Sequence, residues 1–155
     1  MTEPIRRADV EDADAVARLL RAFNAEYDDP APPQELMAAR IRALLEHGDT
    51  IILVAGEPPC ALSVTRFRPG LWSPRPESYL AELYVVPERR GQGIGRALMV
   101  QTMAVARERG ADTMELGTGE ADVVARRLYE SLGFTNTEHG PGGVETVSYF
   151  YEREL

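Results

Sequence analysis

The sequence predicts an α/β fold with a mixed sheet, on two observations. First, short apolar and β-branched runs alternate along the chain with segments of helical periodicity, a pattern typical of strands connected by helices. Second, neighbouring strand-like runs occur both early and late in this series, and such neighbours form antiparallel pairs. At 155 residues, 44% of them apolar and 27% charged, the chain has the size and composition of one globular domain, residues 1–155.

The first part of the chain predicts a strand and two helices. Ile5-Arg6-Arg7 forms a short strand, and Asp9 can cap a helix that runs to about Ala25. The apolar stripe of this helix has the spacing i, i+3, i+4, i+7 and consists of Ala13, Val16, Ala17 and Leu20. A proline-rich loop follows, and a second helix ends at Gly48. The apolar face of that second helix consists of Met37, Ile41, Leu44 and Leu45.

Two apolar runs then predict an antiparallel pair of strands. Residues Thr50–Ala55 and Cys60–Phe67 are rich in β-branched side chains, and the turn sequence Gly56-Glu57-Pro58-Pro59 separates them. A loop over Arg68–Glu77 follows, and Tyr79–Val86 forms the next strand.

Helices and strands continue to alternate in the second half of the chain. A long helix, apolar over more than half its circumference, ends at Gly110 and is therefore buried against the sheet. Thr113–Leu116 is a short strand, and the helix after it stops at Gly133. The apolar stripe of this last helix consists of Ala121, Val124, Ala125, Leu128 and Leu132. Phe134 onward and Val144–Tyr151 form the final strands.

The loop after the Tyr79–Val86 strand is glycine-rich and basic. It carries three alternate glycines and three arginines, in a chain whose net charge is −8: Gly91, Gly93, Gly95, Arg89, Arg90 and Arg96. Glycine lets backbone N–H groups approach a ligand closely, and a helix that starts there adds unpaired amides and the positive end of its dipole. The loop therefore predicts a site for a phosphate-bearing cofactor. The alternative is a tight turn with solvated arginines.

The spacing in this loop excludes two common phosphate-binding motifs. A Walker A loop ends in Gly-Lys-Ser/Thr, whereas this chain has Gly95-Arg96-Ala97. A dinucleotide fingerprint counted from Gly91 requires glycine or alanine at position 96, where an arginine stands.

One motif in this loop and one near residue 130 resemble signatures of the GNAT superfamily of N-acetyltransferases. Arg90-x-x-Gly93-x-Gly95 after a strand resembles the acyl-coenzyme A signature Gln/Arg-x-x-Gly-x-Gly/Ala. Ala125-x-x-Leu128-Tyr129-x-x-x-Gly133-Phe134 resembles the second signature, and the order of elements matches the family over nearly the whole chain.

The resemblance implies a fold of about seven strands and four helices, in which the strands Tyr79–Val86 and Thr113–Leu116 splay apart. It also implies acetyl-coenzyme A as the co-substrate, with its pantetheine arm in the gap between those strands. The implied cofactor-binding residues are Tyr84 and Val85 in the strand, and Arg90, Gly91, Gln92, Gly93, Ile94, Gly95 and Arg96 in the loop. Backbone groups of the strand pair with the pantetheine amides, and loop amides from Gly91 through Arg96 hold the pyrophosphate.

Acetyl transfer to an amine needs a base and a proton donor, and the candidates are Glu82 and Tyr129. A lysine-like amine is neutral to only about one part in a thousand at pH 7. Strand alternation places Glu82 on the face opposite Leu83, where burial would raise the carboxyl pKa. Glu115 or a water chain are alternative bases, and Glu82 can instead be an exposed or arginine-paired carboxylate. By the resemblance, Tyr129 protonates the departing thiolate, although it can also be a core tyrosine; the Val85 amide can polarise the carbonyl.

Other polar residues are weaker candidates. Relatives commonly carry an asparagine seven positions before the signature tyrosine, where this chain has Asp122. A carboxylate accepts hydrogen bonds but does not donate as an amide does, so Asp122 can instead complement a helix dipole. The single cysteine, Cys60, is more typical of an inert core residue than of a nucleophile, because neither His47 nor His139 is placed to activate it. No metal site is predicted.

Charge and composition indicate the partners and the compartment. The excess of 25 acids over 17 bases argues against nucleic-acid binding and favours a cationic substrate; the resemblance implies a primary amine of a small molecule or peptide. The single cysteine, an amino terminus without an apolar stretch and a longest apolar run of Ile51–Ala55 predict a cytoplasmic protein that does not enter a membrane. Apolar residues on both faces of Val144–Tyr151 suggest a homodimer through sheet pairing. The alternative function is a non-catalytic acyl-coenzyme A sensor.

Overall fold

A computed structural model of the chain, which describes residues 3–119, 122–139 and 145–155, has the predicted mixed sheet with helices on both faces. In these residues the strands are β1 (Ile5–Arg7), β2 (Thr50–Ala55), β3 (Ala61–Arg68), β4 (Glu77–Val85), β5 (Thr113–Gly117), β6 (Thr135–His139) and β7 (Glu145–Glu154). Their order across the sheet is β1-β2-β3-β4-β5-β7-β6. The β4 and β5 strands pair in parallel, and the other neighbours pair antiparallel.

Helices connect these strands: α1 (Ala13–Glu26), α2 (Gln34–His47), α3 (Ile94–Glu108) and α4 (Val123–Ser131). The predicted cap Asp9 is separated from α1 by a 3-10 turn, Val10–Asp12, and its side chain accepts a hydrogen bond from the Glu11 amide at 2.9 Å. The α2 helix ends where predicted, because Gly48 adopts a φ of +90° without steric strain. Within the described ranges, none of the helices combines the length and the apolar character that a membrane crossing requires.

Two hydrophobic cores lie on opposite faces of the sheet, because successive residues of a strand point to opposite sides. In β2, Ile52 and Val54 pack in the core formed with α1 and α2, whereas Ile51 and Leu53 pack in the core formed with α3. Every residue of β2 is buried. Burial of each such large apolar side chain contributes about 1.5–3 kcal/mol, so the two cores fix the central strands between the helices.

A β-bulge in β4 determines the direction of its later side chains. Val64 of β3 pairs with Glu82, but the next residue, Thr65, pairs with Leu80, so Ala81 is an extra residue in β4. Cross-strand partners share a face of the sheet. Val64 belongs to the core under α1 and α2, whereas Leu80 belongs to the core under α3. The bulge therefore turns Glu82 toward the α1–α2 side of the sheet.

The strands β4 and β5 splay apart, as the resemblance implies. Their pairing covers residues 78–80 of β4 and 114–116 of β5. Beyond this point β4 continues to Val85, and a gap opens along its edge where β5 has diverged.

Two expectations for the end of the chain are narrowed or corrected by the structure. The β7 strand lies between β5 and β6; its residues 150–154 pair with β5, and its residues 145–147 and 152 pair with β6. The β6 strand therefore covers one edge of the segment predicted to pair with a second copy, and that homodimer stays a prediction; Val144 itself lies outside the described residues. In α4, Val124 of the predicted stripe is 82% exposed rather than buried, and Ala121 lies outside the described residues.

Candidate active site

The glycine loop ends at a helix terminus whose first amides have no partner within the helix. Gly93 is the N-cap of α3 and adopts a φ of +82°. The first helical hydrogen bond runs from the Ala97 amide to the Gly93 carbonyl at 3.0 Å, which leaves the amides of residues 93–96 without helical acceptors. Gly91 also has a positive φ, +75°. A Cβ on either glycine would meet no atom within 4 Å, so both face open space in which a ligand can approach the backbone.

A cleft of about 500 Å³ opens beside these amides and extends to the start of α4. The loop contributes Arg89, Arg90, Gly91, Gly93, Ile94, Gly95 and Arg96 to its lining. The Ile94 side chain is buried in the core, so only the backbone of this residue is available to a ligand. Gln92 accepts a hydrogen bond from Arg89 at 3.4 Å and lies outside the lining of the cleft. A helix N-terminus with free amides and glycines is suited to hold a diphosphate.

The loop arginines at either end of the glycines have partners of different charge. Arg89 forms an ion pair with Glu3. Arg96 donates from Nη1 to the neutral hydroxyl of Ser131 at 2.9 Å. The positive charge of Arg96 therefore stays beside the cleft, where it can attract an anion, whereas a carboxylate neutralises Arg89.

Arg90 connects the loop to two other elements. Its Nη2 donates to both carboxylate oxygens of Glu26 at 2.9 and 2.8 Å. Its Nε donates to the Val85 carbonyl at 2.9 Å, and the guanidinium carbon lies 5.7 Å from the centre of the Tyr84 ring, within cation–π range. The side chain thus ties the loop to the end of α1 and to the end of β4.

The end of β4 presents peptide groups to the gap. The Val86 amide donates to the Cys60 carbonyl at 3.0 Å, and residues two apart in an antiparallel ladder share the same pairing type. Tyr84, opposite Leu62, therefore has its peptide groups in the ladder with β3, while those of Leu83 and Val85 point into the gap. Of the two predicted strand positions, Val85 offers its amide, since its carbonyl accepts from Arg90, and Tyr84 lines the cleft. Leu83 was missed, because the ladder type is not readable from the sequence.

A second cavity, of about 610 Å³, continues from the cleft on the side of α1. The residues that line both spaces are Phe23, Tyr27, Leu83, Asp122 and Ala125. Glu82 and Tyr129 both line the second cavity. The structure therefore brings the two residues predicted to carry acid–base chemistry into one space, next to the gap between β4 and β5.

The surroundings of these two side chains raise both pKa values. Glu82 is exposed to solvent, but partial desolvation of its carboxyl by the surrounding protein atoms raises the pKa of that carboxyl above the ordinary value. Tyr129 is only 6% exposed. Burial first, and then the charges of Asp122 and Glu82, raise the pKa of its hydroxyl. The carboxylate is consequently more basic than one at a protein surface, and the hydroxyl keeps its proton at neutral pH.

Asp122 is the N-cap of α4, in agreement with the expectation that it complements the helix dipole. Its Oδ1 accepts a hydrogen bond from the Ala125 amide at 3.1 Å. An asparagine could form the same cap through its side-chain oxygen. The charge that the carboxylate adds lies where the cleft and the second cavity meet.

The wall that α1 contributes to both spaces was also missed from the sequence. The Phe23 ring stacks on the Tyr84 ring with centroids 4.9 Å apart, and Tyr27 lies 5.6 Å from Phe23. A signal was present, because Val16, Leu20, Phe23 and Tyr27 continue the helical spacing of the predicted stripe. The stripe passes from the core into the cavity wall along the same helix face.

The alternative chemical candidates lie elsewhere. Glu115 pairs with Tyr79 in the section where β4 and β5 are still joined, and it lines a separate cleft. Cys60 is buried, its thiol donates to the Ala55 carbonyl at 3.5 Å, and burial raises the pKa of that thiol. A protonated, buried thiol is a poor nucleophile.

His47 lies outside the lining of both spaces. His47 lies at the end of α2, 3.1 Å from the Asp49 carboxylate, and the side chain of His139 lies outside the described part. Among the described residues, no cluster of three histidine, cysteine or acidic side chains could hold a metal ion.

Comparison with known proteins identifies a family for most of the chain. The model of the acetyltransferase (GNAT) family matches residues 14–134. A provisionally named acetyltransferase from Arthrobacter sp. FB24, known from a crystal structure, is 45% identical; the match covers 99% of this chain and 96% of that one, with a TM-score of 0.85. The span matched by the family model contains the glycine loop and the positions of Glu82 and Tyr129.

Curated relatives match over different lengths. Thialysine N-epsilon-acetyltransferase from Bos taurus is 30% identical over 151 residues, which covers 89% of this chain and 87% of the bovine protein. A mycothiol acetyltransferase from Thermobispora bispora is 52% identical over 59 residues, 36% of this chain. That match spans only 20% of the length of the mycothiol enzyme, so the likeness to it concerns a segment and not the whole protein.

Proposed function

The chain belongs to the GNAT acetyltransferase family, and from that premise we propose that it transfers an acetyl group from acetyl-coenzyme A directly to a primary amine of a small molecule or peptide. One observation carries the proposal: the cleft at the start of α3 is continuous with the cavity that holds Glu82 and Tyr129. An elongated ligand with its phosphates at α3 would extend along β4 and end beside those two side chains.

The residues around the cleft fit a diphosphate attached to an amide-bearing arm. The free amides of residues 93–96 and the positive end of the α3 dipole suit the diphosphate, and Arg96 adds a charge. The peptide groups of Leu83 and the amide of Val85 suit an extended arm, which would pair with β4 as an added strand does. Gly91 and Gly93 leave the space in which a side chain would stand.

In the proposed reaction acetyl-coenzyme A, when bound, supplies a thioester. Glu82 accepts a proton from the amine, which frees the nitrogen lone pair to attack the carbonyl carbon. The Leu83 amide, which faces the gap next to Glu82, donates a hydrogen bond to the carbonyl oxygen as negative charge develops there, in place of the Val85 amide predicted from the sequence. Tyr129 donates its proton to the departing sulfur and regains one from the acylated nitrogen, directly or through water. A C–N bond replaces the C–S bond, and the products are an amide and a free thiol.

The charges of the second cavity favour a cationic acceptor. Among the residues that the structure describes, the charged ones in its lining are Asp29, Glu82 and Asp122, all of them acidic. The rings of Phe23 and Tyr27 form an apolar wall that can also contact a cation through a ring face. The bovine relative is named for N-epsilon acetylation of thialysine, which is consistent with an amine acceptor.

The test is thiol release from acetyl-coenzyme A across a panel of amines, together with calorimetric measurement of acetyl-coenzyme A binding. We expect micromolar binding and release that depends on one class of amine. Binding without amine-stimulated release would instead indicate an acyl-coenzyme A sensor. Absence of binding would overturn the proposal as a whole.

A further inference from the structure

We propose that Arg90 is a positioning residue that acts through Glu26. It couples the cleft at the start of α3, here the cofactor cleft, to the second cavity with Glu82 and Tyr129, here the acceptor cavity. Its guanidinium is then not a ligand of the phosphates. The inference rests on the proposed function, since it concerns the same two spaces. Arg90 is the first residue of the glycine signature, and its role is inferred from its contacts with Glu26, Val85 and Tyr84.

One guanidinium joins three elements of the fold. Through Nη2 it holds both carboxylate oxygens of Glu26, the last residue of α1. Through Nε it holds the carbonyl of Val85, the last residue of β4. Its own backbone leads directly into Gly91, where the glycine loop begins. These contacts therefore fix the position of the loop relative to the ends of α1 and β4.

The far side of this connection is the wall of the acceptor cavity. Immediately after Glu26 the chain supplies Tyr27 and Asp29 to that wall, and Phe23 lies one helical turn before it. The Phe23 ring stacks on Tyr84, which in turn lies under the Arg90 guanidinium. A displacement of the glycine loop would consequently move the end of α1, and with it the acceptor wall.

The charges argue against direct phosphate binding by Arg90. Hydrogen bonds between an arginine and a carboxylate are charge-assisted and about twice as strong as those between neutral groups, and Nη2 of Arg90 contacts both oxygens of Glu26. The Glu26 side chain is only 25% exposed, and a phosphate placed at the same guanidinium would meet its negative charge. Recruiting Arg90 to the phosphates would also leave Glu26 without this partner. Positioning is the role that preserves all three contacts.

The consequence is a linkage between the two ligands. When acetyl-coenzyme A fixes the position of the glycine loop, Arg90 also fixes the end of α1. The cavity wall that this end carries is then held in place, and the cavity binds the amine more tightly. Thermodynamic linkage requires the effect to be reciprocal, so the amine strengthens acetyl-coenzyme A binding by the same factor.

The experiment compares Glu26→Gln, Arg90→Gln and the double variant in the full chain. Calorimetry gives the acetyl-coenzyme A affinity, steady-state thiol release gives KM and kcat for the best amine of the panel, and thermal unfolding monitors folding. We expect each single variant to weaken acetyl-coenzyme A binding and raise the amine KM by about three- to ten-fold, with a smaller change in kcat. The double variant should be no worse than Arg90→Gln alone, because both changes break one contact.

A matched control is Glu46→Gln, which removes an exposed carboxylate near the carboxyl end of α2, away from both spaces. It should leave both ligand constants unchanged. Glu26→Gln is decisive, because Glu26 lies outside the lining of the cleft and cannot act as a phosphate ligand.

Two results would overturn the inference. One is full acetyl-coenzyme A affinity in Glu26→Gln together with a loss in Arg90→Gln, which would make Arg90 a direct phosphate ligand. The other is a double variant whose loss of acetyl-coenzyme A affinity equals the product of the losses in the two single variants, which would mean that the two side chains act independently. If Arg90→Gln fails to fold, the comparison of Glu26→Gln with Glu46→Gln decides alone. A wild-type protein that does not bind acetyl-coenzyme A would instead refute the proposed function.

Discussion

Glu82 of β4 and Tyr129 of α4 line one cavity, and the Glu82 carboxylate is among the charges that raise the pKa of the Tyr129 hydroxyl. The bulge at Ala81 sets the direction of the Glu82 side chain, because without the extra residue Glu82 would share the face of Leu80, under α3. The outcome is a pair in which one group is made more basic and the other keeps its proton, which is an arrangement typical of acid–base sites.

Replacement of Tyr129 by phenylalanine should lower kcat by about 10²-fold, the usual scale for loss of a general acid, with little change in acetyl-coenzyme A affinity. The ring contacts with Phe134 and Tyr151, at 6.0 and 6.2 Å between centroids, do not involve the hydroxyl, so the fold should be retained. Thiol release and calorimetry measure the two constants. Tyr79→Phe, in a separate cleft, is the control. Unchanged turnover in Tyr129→Phe would reduce this residue to a packing role.

The pH dependence of turnover should report Glu82. Because burial raises the pKa of this carboxyl, the acidic limb of kcat/KM should lie above the ordinary glutamate value of 4.5. Glu82→Gln should remove that limb and lower kcat/KM by about 10²-fold or more. Glu115→Gln, which lies outside the cavity, should keep the wild-type profile. A limb that persists in Glu82→Gln but disappears in Glu115→Gln would transfer the role of base to Glu115.

The same carboxyl should limit stability at neutral pH. The folded chain holds the Glu82 proton more tightly than the unfolded chain does, so stability falls as pH rises through the raised pKa. We therefore expect Glu82→Gln to unfold at a higher temperature than the wild type near pH 7, and at the same temperature below about pH 4, where both side chains are neutral. Thermal unfolding at the two pH values measures the difference. Equal unfolding temperatures at neutral pH would mean that Glu82 is not destabilised by burial.

The features that the sequence predicted well depend on local chemistry. The glycine loop is one case, since Gly91 and Gly93 both occupy positive φ angles that other residues adopt only with strain. The carboxyl end of α2 and the buried strands are others, because a glycine cap and a continuous apolar run act over a few residues. These signals require no knowledge of what the segment packs against.

The features that were missed depend on contacts between distant segments. The partner of Arg90 is Glu26, 64 residues away, and the bulge at Ala81 exists only in the register between β3 and β4. The position of β7 inside the sheet depends in the same way on β6 folding back over its outer edge. Val124 has the right spacing for a core stripe, but it lies at the first turn of α4, where the helix faces the cleft.

Replacement of Gly93 by valine should abolish acetyl-coenzyme A binding, because the branched side chain would stand where the backbone meets the diphosphate. The φ of +82° adds strain for any other residue. Gly48→Val is the matched control, since Gly48 has a φ of +90° and equally open surroundings, but lies at the end of α2. Both variants should lose comparable stability in thermal unfolding, and only Gly93→Val should lose binding in calorimetry. Retained binding by a folded Gly93→Val protein would contradict the placement of the diphosphate.

Replacement of Cys60 by alanine should preserve turnover, because the proposed transfer is direct and the thiol is buried away from both spaces. Removal of one buried sulfur atom should cost about 1 kcal/mol of unfolding free energy. Steady-state thiol release measures the activity, and intact-protein mass spectrometry after mixing with acetyl-coenzyme A should detect no acetylated enzyme. Loss of turnover in a folded variant that still binds acetyl-coenzyme A, together with an acetyl adduct on the wild type, would replace direct transfer by a covalent route through Cys60.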